Sequence, residues 1–252
     1  MELRLKLIII YLSFVSCSLF GASGSWNGVA FTAWNGIAQT AWNGTSISCA
    51  GGGGGGTPAF VQDDGTSFDP FNSSRSVTFT SSTTAGSMIV AVYRGENAST
   101  LSVSDNKSGS YTTVVNGSTS GIAIAAAYNT SGGASHQVTF TVTSTSNPGD
   151  IIILEYSSIA TSSAFDVGSQ NSSFIANIST TTAATSQATE LIFGAMFKAS
   201  TAPTAGSGFT IRMSQGTLYT EDKNVTSTGA QTVNFTHAEA TAAISAATFK
   251  SN

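Results

Sequence analysis

Charge is the scarcest property of this 252-residue chain: 9% of its residues are Asp, Glu, Lys or Arg, against roughly 25% in ordinary soluble domains. That scarcity excludes coiled coils and long solvated helices, which need Glu and Lys, and it excludes charged disordered tails. Proline occurs only 4 times, which excludes a collagen-like chain. The 9 bases against 13 acids leave a net charge of −4. No Lys/Arg cluster stands out, so nucleic acid is excluded as a partner.

Cysteine is nearly absent as well, with 2 residues. Cys17 lies in an apolar N-terminal run, so Cys49 has no mate within the mature chain and disulfides do not hold the fold. Cys49 reads as inert; the alternative is a link between two chains. Arg4 and Lys6, the apolar run from Leu7 to Phe20 and the small residues Gly21 to Gly24 read as a secretory signal peptide over residues 1–24. The run falls short of the roughly 20 residues a membrane span needs. Cleavage is expected between residues 18 and 26. Two other readings stay open: an apolar N-terminal strand, and lipidation at Cys17, whose Phe14-Val15-Ser16-Cys17 context has the wrong first residue for a lipobox.

What fills the space is small and β-prone: 40 Ser, 35 Thr and 26 Gly, with 40% hydrophobic residues to supply a core. Ser76-Val77-Thr78-Phe79-Thr80 and Gln137 to Thr143 alternate apolar and hydroxyl residues, as half-buried antiparallel strands do. Met88–Tyr93, Ile122–Tyr128, Ile151–Tyr156 and Leu191–Phe197 are near-continuous apolar runs and read as central strands. Turn clusters such as Asp105-Asn106-Lys107-Ser108-Gly109 and Asn147-Pro148-Gly149-Asp150 separate them. The fold class is therefore all-β. Residues 58–252 are expected to form an antiparallel two-sheet sandwich, jelly-roll-like, of about ten strands. Ala238 to Ala247 reads as an edge strand.

Before the sandwich stand a short β-repeat, residues 25–49, and a polyglycine linker, residues 50–57, whose core is Gly51 to Gly56. Trp26-Asn27-Gly28, Trp34-Asn35-Gly36 and Trp42-Asn43-Gly44 recur at a period of eight. Asn-Gly is a strong hairpin signal because both positions tolerate positive φ. A lone meander would put successive tryptophans on opposite faces, and the segment is too short to supply its own core. Trp26, Trp34 and Trp42 are therefore read as an assembly or anchoring element, covered by self-association or by a surface to which the protein attaches. The other reading is an unstructured stalk.

The common catalytic signatures do not occur: there is no Gly-x-Ser-x-Gly, His-Glu-x-x-His, Walker loop or Cys-x-x-Cys. His136 and His237 read as solvated polar residues. Glu155 and Glu190 are each the only carboxylate of their strand, unlike the paired carboxylates of sandwich glycosidases. Glu155 reads as a strand-end residue in solvent, or, if buried, as an acid with a raised pKa. Asp63, Asp64 and Asp69, around Gly65, form the densest carboxylate cluster and could ligate Ca²⁺, although without EF-hand spacing; the simpler reading is a surface loop. The sandwich has no Trp, so tyrosines 93, 111, 128, 156 and 219 are the remaining aromatic candidates for a glycan ligand. Ten Asn-x-Ser/Thr sites occur, with Asn72, Asn97, Asn116, Asn171 and Asn224 the chosen candidates for glycosylation. Asn as a turn former before Thr-rich strands explains them equally well.

The Trp-Asn-Gly string ahead of polyglycine resembles segments of phage tail and virion-associated proteins and of bacterial surface proteins. The segments Thr84 to Val90, Ile152 to Tyr156 and Glu190 to Ala195 are similar to jelly-roll domains of bacterial extracellular proteins. This resemblance implies a secreted or displayed module and carries over no catalytic residue. The expected function is thus a non-enzymatic, extracellular or cell-surface β-sandwich for adhesion, carbohydrate binding or structure, without a cofactor unless calcium. The alternatives are a phage virion or tail-fibre component and, further off, a sandwich-fold glycoside hydrolase.

Overall fold

The structure is a computed structural model of the chain. It describes the backbone of residues 23–26 and 29–32, and residues 56–68, 74–143, 147–173, 176–198, 201–238 and 242–252 in full. Contacts divide the chain into two units, residues 1–54 and 55–252, at a boundary inside the glycine run. In the first unit, strands β1 (Ser23–Trp26) and β2 (Val29–Thr32) pair antiparallel, with Trp26 opposite Val29 across the first Asn-Gly. That is the register a two-residue turn dictates.

Among its described residues the second unit is all-β apart from one short 3₁₀ turn, Ala98–Thr100. Its first half runs through β3 (Ala59–Phe68), β4 (Ser74–Thr78), β5 (Met88–Arg94), β6 (Ser102–Asp105), β7 (Tyr111–Val115), β8 (Ile122–Ala127), β9 (Gln137–Thr141) and β10 (Gly149–Ser157). The second half runs through β11 (Phe165–Ser173), β12 (Ser179–Ala184), β13 (Thr189–Lys198), β14 (Thr210–Gln215), β15 (Leu218–Thr226), β16 (Ala230–Asn234) and β17 (Ala242–Lys250). Two five-stranded antiparallel sheets result, in the orders β3-β10-β5-β8-β7 and β11-β17-β13-β15-β14. Smaller sheets, β4-β9-β6 and β12-β16, complete the set.

The two orders are the same path. Replacing β3, β5, β7, β8 and β10 by β11, β13, β14, β15 and β17 turns one sheet into the other, and β4-β9 becomes β12-β16. Both halves also carry a register irregularity at the same place, next to Phe60 opposite Tyr156 and next to Phe165 opposite Phe249. The chain follows one sandwich course twice.

The five-stranded sheets face each other across a core that joins Val90, Val92, Ile152 and Leu154 of the first to Leu191, Phe193, Ala247 and Phe249 of the second. Each sheet also buries its outer face. Ile89, Ala91, Ile151 and Ile153 meet Val77, Val138 and Phe140 of the three-stranded sheet. Ile192, Met196 and Ile244 meet Val233 of the two-stranded one and Phe235 just beyond it. A strand covered on both faces is apolar at nearly every position, which explains the near-continuous runs of β5, β8, β10 and β13. It also corrects the reading of the Ala-rich segment: β17 lies between β11 and β13, inside its sheet rather than at an edge. Its alanines, with Ala126 of β8, let the two sheets approach closely in the central core.

Candidate functional site

The antiparallel register gathers strand ends at one end of the central core. Asp150, the second residue of β10, is opposite Ser67 of β3 and opposite Arg94 of β5. The three side chains form a row across the sheet on the face of Ile152 and Val92, which is the face turned to the second sheet. There the β14–β15 turn, Gly216-Thr217, meets them. Ser67, Phe68, Arg94, Pro148, Gly149, Asp150, Gly216 and Thr217 line a cleft of ≈ 430 Å³.

Asp150 is 5% exposed and well supplied with donors. The Ser67 hydroxyl donates to Oδ1 at 2.6 Å, and the Thr217 amide and hydroxyl donate to Oδ2 at 3.1 and 2.9 Å. Arg94 Nη1 is 3.9 Å from the same carboxylate, an ion pair without hydrogen-bond contact, and donates to the Pro148 carbonyl at 3.4 Å. The guanidinium lies over the Phe197 ring, 3.9 Å from its centre. Burial lowers its pKa from the usual Arg value, against the opposing pull of Asp150. Gly216 has φ 55°, and a β-carbon there would collide with the Asp150 carboxylate. This turn therefore requires glycine.

The duplicated course gives this row a control. Tyr156 corresponds to Phe249 and Met88 to Leu191, so Asp150 corresponds to Ala243 and Arg94 to Phe197, which are themselves paired in register. One half closes this end with an apolar pair; the other places a carboxylate and a guanidinium there.

Three further polar clusters are internal. Thr83 Oγ1 lies 2.8 Å from His136 Nδ1, and His136 Nε2 lies 2.9 Å from Asp105 Oδ2. Hydroxyl, imidazole and carboxylate have the composition of an acyl-transfer relay, yet His136 is fully buried and Thr83 is 5% exposed. Asp105 also accepts the amides of Lys107 and Gly109, which closes the turn before β7. Burial raises its pKa, but these bonds and the His136 contact outweigh that and hold it below the usual Asp value. The relay fastens a loop. At the opposite corner, Arg212 makes two 2.8 Å bonds to Asp222, which also accepts the Tyr156 hydroxyl at 2.7 Å, joining the two sheets. Glu155 is fully buried, its oxygens taken at 2.6 Å by Gln62 and by the Thr84 amide.

Several sequence expectations change here. Glu155 is no solvated strand end; it is fully buried, with Gln62 and the Thr84 amide as donors. His136 and His237 are buried rather than solvated, the latter accepting the Ile178 amide at 3.0 Å. Asp63 and Asp64 lie within strand β3, not in a loop around Gly65. Successive strand residues point to opposite faces. Asp64 is held by Thr80 and the Gly65 amide, while Asp63 has its pKa raised by burial and by Asp64, against Arg212. Asp69 lies outside the described residues, as do Trp34, Trp42, Cys49, Asn72 and residues 1–22. Trp26 is placed in β1. Asn97, Asn116 and Asn224 are exposed, and Asn171 is half-buried on the edge strand β11. Asn97 adopts the left-handed conformation of a turn former, φ 55°. Among the tyrosines, Tyr93 and Tyr156 are buried in the core, and burial pushes the Tyr93 hydroxyl up to about 12.

Ser67, Arg94, Asp150 and Thr217 escaped the sequence reading. The available signal was that Arg94 and Asp150 bound two apolar runs, Met88–Tyr93 and Ile151–Tyr156, whose antiparallel pairing brings those ends together. Among the described residues, no helix is long and apolar enough to cross a membrane. In comparisons with known proteins, no family model, curated protein or solved structure matches the chain.

Proposed function

We propose that the protein is a non-enzymatic, extracellular β-sandwich module that binds carbohydrate. In this reading the Trp-Asn-Gly repeat holds it in place, through self-association or attachment to a surface, and the glycine run links the repeat to the sandwich. The observation that carries the reading is the Ser67–Asp150–Arg94 row at the mouth of the cleft. The fold closes the equivalent end of its other half with Phe197 and Ala243, so the charged pair is not a requirement of the architecture. Charges retained at a partly dry position cost desolvation energy, and a ligand rich in hydroxyl groups offers acceptors to the exposed Arg94, which the satisfied Asp150 holds beside it. Hydroxyl, carboxylate and guanidinium groups beside the apolar edges of Phe68 and Pro148 are the mixture that a sugar ring, polar at its rim and apolar on its faces, requires. Arg4, Lys6 and the apolar run behind them support export.

A glycan array probed with the full chain tests this. Saccharide binding is expected, and it should disappear in Asp150→Ala while the fold is retained. An array without saccharide hits contradicts the proposal.

A further inference from the structure

We infer that the cleft selects an acidic saccharide, whose carboxylate is taken by Arg94; this rests on the carbohydrate-binding reading. A guanidinium offers five N–H donors in a plane and no acceptor. At Arg94 the described contacts engage one nitrogen, Nη1, at 3.4 Å from the Pro148 carbonyl and 3.9 Å from Asp150. Asp150 does not depend on it. Three shorter bonds, from Ser67 and Thr217, already satisfy that carboxylate. Arg94 is therefore oriented and partly neutralised without being used up.

Its orientation is fixed by packing. Phe197 covers one face of the guanidinium plane at 3.9 Å, while the side chain keeps 24% of its surface exposed and lines the cleft. With a face blocked, the edge remains for recognition, and the edge of a guanidinium matches a carboxylate through two parallel N–H···O bonds. A neutral hydroxyl meets only one of those donors. Asp150 adds selectivity of a second kind. A negative group 3.9 Å from Nη1 opposes a ligand carboxylate that enters on the wrong side, so the acid must bind at the end of the guanidinium away from Asp150. The sugar ring is then left over Thr217 and the glycine backbone of Gly149 and Gly216. A cleft of ≈ 430 Å³ accommodates one or two sugar units. The ligand class is a uronate-bearing oligosaccharide.

Isothermal titration of the full chain with oligogalacturonate, with its methyl-esterified neutral form and with an alginate oligomer tests this. An acidic oligomer should bind roughly tenfold or more tighter than the ester, the difference expected when hydrogen bonds to a charged group are lost. Arg94→Gln should erase that preference, so that acid and ester bind the variant with equal affinity. Should Arg94→Gln fail to fold, Arg94→Lys, which keeps the charge and loses the fork, should still cut the preference several-fold. Equal affinity for acid and ester, undiminished acid binding by the folded variant, or binding of neither acid overturns the inference. Neutral saccharide hits on the array would leave the carbohydrate reading standing in that case, whereas a blank array ends both.

Discussion

Glu190 and Glu221 are fully buried, and each has one oxygen, Oε2 and Oε1 respectively, without a donor among the described residues. Burial raises both to about 7 from the usual 4.5. Glu190 also faces the Asp166 carboxylate, which holds the Ser186 hydroxyl and amide and has Lys250 Nζ at 3.8 Å. When protonated, Glu190 donates to Asp166; when ionised, it faces a like charge. The folded state thus binds protons that the unfolded chain releases above 4.5. The stability they contribute is complete below that pH and is lost as pH rises towards 7. Asp105 and Asp166, held below their usual 3.8, act in the opposite sense only in more acidic solution. Scanning calorimetry should therefore show a higher Tm at pH 5 than at pH 8. Glu190→Gln can donate to Asp166 without a titrating proton and should raise stability at pH 8 by about 1–2 kcal/mol, with a smaller gain at pH 5. A Tm that rises from pH 5 to pH 8 would show that these carboxyls are ionised in the fold.

At the level of strands, alternation and apolar runs in the sequence led correctly to an antiparallel sandwich. The doubled course was not legible, because the halves share strand order and bulge position rather than residues: Tyr156 answers to Phe249, Arg94 to Phe197 and Asp150 to Ala243. Nor was the position of β17, since an Ala-rich strand covered on both faces reads much like an edge strand of low hydrophobicity. The cleft was hidden for a related reason: its side chains are 27 and 56 positions apart, from Ser67 to Arg94 and on to Asp150, and only strand register unites them. The interior placement of β17 has a measurable consequence. Ala247 is fully buried between the sheets, so Ala247→Leu should overpack the core by about 1–3 kcal/mol, which for a unit of this size lowers Tm by several degrees. An unchanged melting temperature would mean that β17 has a free face.

For the whole molecule, the division of the chain falls in the glycine run. Three tryptophans, each with on the order of 200 Å² of surface, are suited to being covered by another chain or a surface. Replacing Trp26, Trp34 and Trp42 by Ser should abolish assembly or attachment and leave the melting of the sandwich unchanged, as light scattering and calorimetry would register. A chain beginning at Thr57 should melt cooperatively at the same temperature, since both halves of the strand course lie beyond it. Loss of its cooperative transition would mean that the repeat belongs to the fold. The central claim, that the sandwich binds carbohydrate where its two halves meet, is tested most directly by NMR titration of the full chain with a saccharide that the array identifies. The amide shifts should concentrate at Ser67, Arg94, Gly149, Asp150, Gly216 and Thr217. Saturable binding that leaves these amides unmoved and shifts another face would contradict it.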